Sequence, residues 1–174
     1  MSAADEIVQI VDGENREVGT APRREMRANR LLHRCTYIFV FDAAGELFVQ
    51  LRTPVKDIYP GYFDLAAGGV VNAGESYDMA AVRELEEELG ITGVPLTPHG
   101  EIYFEDERSR VFGRIYSCVY EGPMWYQPEE VVSGKFVPIP EIFARVQRGE
   151  NITPDTVQAL RHYLNNSGTG VSFP

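Results

Sequence analysis

What the chain lacks narrows it first. It has two cysteines, Cys35 and Cys118, too few for a disulfide framework. No apolar run approaches the roughly 18 residues of a membrane span. The opening residues, Met1 to Glu6, lack the basic and apolar regions of a secretory signal. A reduced, cytoplasmic protein with no membrane partner is therefore expected. Positive charge is also scarce: 16 Lys and Arg face 26 Asp and Glu, for a net charge of −10. So acidic a surface repels a polyphosphate backbone, and no nucleic-acid partner is expected. A small phosphorylated ligand stays open, provided cations meet its charge locally. There is no internal repeat, no low-complexity tract and no shift in composition that would mark a boundary. A single domain over residues 1–174 is expected. Nothing in the sequence speaks to oligomeric state.

What is present reads as strands, one central helix, more strands and two final helices. Strands are expected at Ile7 to Val11, near Val18, at Thr36 to Phe41, at Leu47 to Leu51 and at Tyr62 to Ala67. Later strands are expected at Val94 to Pro98 and Glu101 to Phe104, around a turn at His99-Gly100, then at Val111 to Tyr120 and Lys135 to Pro138. A short basic helix, read as solvated, should run from Pro22 to Arg30. Two helices should close the chain, Pro140 to Arg148 and one starting at the N-cap Thr153 and ending near Asn165. The tail Ser167 to Gly170 is expected to be loose. The order implies an α/β fold, a mixed sheet with helices on both faces.

The stretch from Gly68 to Ile91 carries the chemistry. Gly68, Gly69 and Gly74 let the chain turn tightly and pass close to a ligand. Ser76 is the expected N-cap of a helix that Gly90 stops. Within it Glu84, Glu87 and Glu88 are spaced i, i+3 and i+4 and share a face, while Val82, Leu85 and Leu89 should lie on another and bury. Like charges on one turn destabilise a helix by roughly 0.2–0.5 kcal/mol per pair, which a bound Mg²⁺ or Mn²⁺ would offset. Arg83 reaches Glu87 at i+4 and can orient it. Glu75 can fold back toward the same cluster. A plain acidic helix face in water accounts for the spacing equally well.

The stretch also resembles the motif of the Nudix hydrolases. The motif runs Gly69, five residues, Glu75, seven residues, Arg83-Glu84, Leu85, one residue, Glu87-Glu88, one residue, Gly90, Ile91, and every defined position matches. The resemblance implies an α/β/α sandwich and Mg²⁺-dependent hydrolysis of a phosphoanhydride in a nucleoside diphosphate derivative. It implies Glu84, Glu87 and Glu88 as metal ligands, with the carbonyl of Gly68 as a further one. It also implies Arg83 as the orienting arginine and Glu75 as the supporting acid.

Outside the motif, Arg52 and Lys56 lie on a loop where they can meet a substrate phosphate. The general base is a motif glutamate or a later acid, Glu129 or Glu130, with Glu105, Asp106 and Glu107 as the rival cluster. Upstream, Leu32 to Tyr37, Leu47 to Arg52 and Tyr59 to Phe63 look like the isopentenyl-diphosphate isomerase side of the superfamily. That enzyme uses a cysteine where this chain has Gly68. A hydrolase on an isomerase-like scaffold is the reading. Nucleoside di- or triphosphates cleaved to monophosphates are the expected substrates, followed by nucleotide sugars. The isomerase and a catalytically idle nucleotide-binding regulator are the rival functions. The aromatic residues Tyr37, Tyr62, Phe63, Tyr103 and Trp125 can stack a base or fill the core.

Overall fold

The computed structural model describes residues 1–168. Thr169 and Gly170 of the expected loose tail lie outside them. After a 3₁₀ turn at Ala3–Asp5 come strands β1 (Ile7–Val11) and β2 (Glu17–Pro22), helix α1 (Arg23–Ala28) and strands β3 (His33–Phe41), β4 (Leu47–Arg52) and β5 (Phe63–Asp64). Helix α2 (Tyr77–Leu89) leads to β6 (Thr97–Glu105), β7 (Arg110–Val119) and β8 (Val131–Val137), then to α3 (Ile139–Gln147) and α4 (Pro154–Asn166). The sheet is mixed. The β3–β7 pair is parallel, and the other strand pairs are antiparallel.

Strand β3 organises the layers. It is rich in β-branched and aromatic residues and buried along most of its length. Successive side chains of a strand point to opposite faces. Cys35, Tyr37 and Phe39 therefore enter a core with Ile142 of α3 and with Ala159, Leu160 and Leu164 of α4. Ile38 and Val40 enter a second core with Tyr77, Ala81, Leu85 and Leu89 of α2. Helices on both faces follow from that alternation.

The feature that positions the site is a splay in the sheet. β1 meets β3 at one pair, Ile10 and His33. Between them runs the segment that precedes α2. Its Ala67 bridges Ile38, Val70 bridges Cys35, and Asn72 bridges Val8. The amides of Thr36 and Gln9 donate to the carbonyls of Gly69 and Val71, at 3.0 and 3.2 Å. The glycine turn is thus held on both sides by strand-like bonds.

Several expectations need correction. Of the residues expected as two strands about a turn at His99-Gly100, Thr97 to Phe104 form one strand, and Val94 to Leu96 lie outside it. β6 shifts register against β7 between Pro98 and Glu101, a bulge in which Gly100 adopts a positive φ of 93°. Pro22 is the N-cap of α1 instead of its first helical residue. Thr153 stands at the N-cap of α4, but its side chain makes no capping bond and donates to Asp64 Oδ1 at 3.2 Å. Val82 is exposed, because the buried stripe of α2 runs through Tyr77, Ala81, Glu84, Leu85, Glu88 and Leu89. Two of the glutamates therefore lie on the buried side with the leucines.

Candidate active site

Helix α2 is fixed at both ends by its own sequence. Ser76 Oγ accepts the Met79 amide at 3.1 Å, and Gly90 closes the helix at φ +68°. Between them Arg83 is the hub. Its Nε donates to Glu75 Oε1 at 2.6 Å, and its terminal nitrogens donate to Glu75 Oε2 at 2.9 Å, Glu84 Oε1 at 2.8 Å and Glu87 Oε2 at 3.1 Å. A further bond reaches the Val70 carbonyl at 3.3 Å and ties the helix to the glycine turn. Burial works against ionised Glu75, but the Arg83 bonds and the Asn72 amide hold its carboxyl below the ordinary range.

Glu84 and Glu88 are 8% and 3% exposed, a rare degree of burial for acids. Glu88 Oε2 accepts from the Gly68 amide at 3.3 Å and from Gln50 Nε2 at 3.2 Å. Burial raises the proton affinity of both acids. For Glu88 the charge of Glu84 adds to the effect, while Lys56 opposes it. For Glu84, Arg83 opposes and Glu87 adds. Glu130 raises both, so it stands close enough to act on the pair. A Cβ built on Gly69 would fall 2.6 Å from Glu84 Oε1, so the glycine leaves room for that carboxylate.

Among the described residues no three acidic, histidine or cysteine side chains converge at metal-binding spacing. Glu87 is exposed and turned to Arg83, so the three helix carboxylates are not gathered as the spacing alone suggests. The donor chemistry nevertheless suits a hard divalent cation. Two buried carboxylates stand together with too little positive charge to offset them, and hard divalent cations take carboxylate oxygens. The carbonyls of Ala67 and Gly69 are taken by the Ile38 and Thr36 amides, whereas Gly68 between them directs its amide to Glu88.

Gly68 and Gly69 also border a cavity of about 80 Å³ lined by Arg23, Arg27, Arg52, Lys56, Tyr37 and Asp155 among others. Both loop cations expected to meet substrate are there, and each already has a partner. Arg52 pairs with Asp64 at 2.8 Å, and Lys56 pairs with Glu130. Contrary to the expectation of a solvated basic helix, α1 is not solvated on this side. Arg23 and Arg27 point inward and share Asp57, each at 3.0 Å, while Arg24 faces out. His33 sits beside them. Burial and the charge of Arg27 push it down to about 3, so it is neutral.

The later acids divide clearly. Glu130 is at the site, whereas Glu129 is exposed and offers only its backbone carbonyl to Thr53. Glu105 pairs with Arg30, and Asp106 caps its own turn and bonds Tyr59. Neither touches the helix glutamates. Tyr37 is buried, and Trp125 is exposed beside Gly90. Cys35 lines the cavity as a buried thiol whose proton is held tightly by burial. Sequence reasoning missed Gln50, whose alternation placed it only as a strand residue. It also missed Asp155, which read solely as the start of a helix.

Comparisons with known proteins identify the family. The sequence matches the NUDIX domain over residues 31–159. A protein of Yersinia pestis described as an uncharacterized Nudix hydrolase is 47% identical over 166 residues, covering 95% of this chain and 90% of that protein. The Escherichia coli K12 protein YfcD, also described as an uncharacterized Nudix hydrolase, is 46% identical over 165 residues, with coverage of 95% and 90%. Among solved structures, DR0079 from Deinococcus radiodurans superposes with a TM-score of 0.78 at 24% identity, covering 90% of this chain and 98% of that one. A MutT protein from Methanosarcina mazei gives 0.66 at 23% identity, with coverage of 78% and 93%.

Proposed function

This chain belongs to the Nudix hydrolases, and from that footing we propose that it cleaves nucleoside di- or triphosphates to monophosphates with Mg²⁺. Membership carries hydrolysis of phosphoanhydrides; the metal, the nucleoside and the residue roles are our reading. The observation that supports it best is the pair of buried, undercompensated carboxylates, Glu84 and Glu88, held against a glycine turn.

In this reading Glu84, Glu87, Glu88 and the Gly68 carbonyl would hold the metal, which would supply Lewis-acid polarisation and an activated water. The chain does the rest. Arg83 fixes Glu84 and Glu87, and Glu75 fixes Arg83. Arg52 and Lys56 meet the phosphates as their carboxylate partners are displaced. Release of Glu130 from Lys56 frees it to take the proton of the attacking water. Isomerase chemistry is disfavoured by shape. At Gly68, φ is +140° and a Cβ would lie 1.9 Å from the Thr36 carbonyl oxygen, so this backbone has no place for a cysteine there.

The test is a panel of nucleoside di- and triphosphates, nucleotide sugars, dinucleotides and isopentenyl diphosphate, incubated with Mg²⁺. Release of phosphate or pyrophosphate from a di- or triphosphate, lowered at least about a hundredfold in Glu88→Gln, is expected. An unchanged rate in that variant sinks the metal-site assignment. Turnover of nucleotide sugars alone sinks the substrate assignment.

A further inference from the structure

The cavity holds a polar group that this chemistry leaves unused. Tyr37 donates its hydroxyl to Asp155 Oδ2 at 3.1 Å. The other oxygen, Asp155 Oδ1, is buried and has no hydrogen-bond partner. Two more buried side-chain atoms among the described residues share that condition, Gln50 Oε1 and Asn72 Oδ1, but of the three residues only Asp155 lines the cavity. Its neighbours are already satisfied among themselves, since Thr153 and Thr156 bond each other and Thr153 also donates to Asp64.

Burial and the charge of Asp64 raise Asp155 to about 6, with Arg52, the Tyr37 hydroxyl and the Thr156 backbone opposing. A buried carboxylate oxygen without a partner calls for a donor. The donor's chemistry follows from the walls. Arg23, Arg27, Arg52 and Lys56 line the same cavity, so a second cation is repelled. An apolar group leaves the oxygen unpaired. A neutral donor meets both conditions, and a hydroxyl is the smallest such group. The cavity, about 80 Å³ and open to solvent on one side, is well below the roughly 300 Å³ of a pocket that swallows a whole ligand, so it suits one edge of the substrate.

We infer that Asp155 is a specificity-determining residue that accepts a hydrogen bond from a hydroxyl on the non-phosphate part of the substrate, with Tyr37 as the positioning residue that holds its carboxylate. This deepens the hydrolase reading and rests on it. A site built to bind a hydroxyl rejects the analogue lacking it far more strongly than a hydrophobic pocket rejects a missing methylene.

Matched pairs test the inference. Wild type, Asp155→Asn and Asp155→Ala are assayed on ribonucleoside 5′-di- and triphosphates against their 2′-deoxy and 3′-deoxy counterparts. UDP-glucose is assayed against UDP-2-deoxyglucose. Wild type should prefer the hydroxylated member of at least one pair by about tenfold or more in kcat/KM, carried mainly by KM. Asp155→Ala should bring that ratio within about twofold, and Asp155→Asn should fall between, because a neutral acceptor binds more weakly than a charged one. Thermal unfolding identifies a variant that fails to fold. If the alanine variant does fail, the asparagine variant decides, and its ratio must drop about threefold. A wild type with no discriminating pair, or a ratio that survives in a folded variant, overturns the inference. Titration of the same pairs into Glu88→Gln separates the two claims. Hydrolysis without discrimination sinks the hydroxyl site alone. Discriminating binding without hydrolysis in wild type sinks the hydrolase assignment and keeps the site. Neither binding nor hydrolysis sinks both.

Discussion

Replacing Gly69 by alanine isolates the seat of Glu84 from the fold around it. Gly69 does not adopt a positive φ, so its backbone accepts an alanine. The added methyl, however, would meet all three carboxylate atoms of Glu84, at 2.6, 2.7 and 2.9 Å. To reach even a tight contact the carboxylate must retreat by about 0.4 Å or more, and its bond from Arg83 must lengthen or turn. A misplacement of about 1 Å at a catalytic centre can lower a rate about a hundredfold, so a loss of about 10- to 100-fold in kcat is expected, together with a higher Mg²⁺ requirement. Stability should change by less than about 1 kcal/mol, a shift in Tm smaller than about 2–4 °C for a chain of this size. Steady-state hydrolysis across a Mg²⁺ series and a thermal melt of the same preparation check both halves. Gly68→Ala provides the contrast, since its Cβ would strike backbone and its φ is left-handed, so that variant should unfold far earlier. A Gly69→Ala enzyme within twofold of wild type at every Mg²⁺ concentration refutes the assignment of Glu84.

Other perturbations probe separate parts of the same structure. Arg83→Lys keeps the charge but loses the planar fork that spans Glu75, Glu84 and Glu87, and activity should fall about 10- to 100-fold; retention of full activity in a steady-state assay counts against the hub. Without divalent metal at pH 8, Glu88→Gln should melt at a higher temperature than wild type. A carboxyl whose folded proton affinity is raised loses stability as pH rises above its unfolded value, and the amide has no charge to bury. A lower melt would contradict that cost. His33 works in the opposite direction. Its folded value near 3 lies below the ordinary 6.5, so the unfolded chain binds the extra proton and stability is lost as pH falls from about 6.5 toward 3. Relative to His33→Gln, wild type should lose up to about 1.4 kcal/mol more per pH unit in that window, read from denaturant melts; parallel pH profiles would remove His33 as the cause.

Much of this was legible in the residues because it depends on local rules. Ser76 and Gly90 bound α2 by capping chemistry, and β3 is buried because its composition suits a strand covered on both faces. Arg83 meets Glu87 because residues four apart on a helix are neighbours. What escaped depends on tertiary placement. Helical spacing could not reveal that Glu84 and Glu88 share the leucine side, because the splay between β1 and β3 brings the glycine turn over them. Nor could it show that Arg23 and Arg27 turn inward, since their partner Asp57 is about thirty residues away. Asp155 belongs to the last helix and meets Tyr37 from the third strand, 118 residues earlier, a separation that leaves no mark on local pattern.

The alternation of β3 has a consequence for how such a protein can change. Cys35 and Tyr37 border the cavity, and Ile38 and Val40, on the opposite face of the same strand, support the helix that carries the glutamates. Substitutions at the first pair can reshape what the cavity accepts while leaving the bed of the glutamate helix undisturbed. The two faces of one strand thus let ligand preference drift across a lineage while the bond-breaking apparatus stays constant.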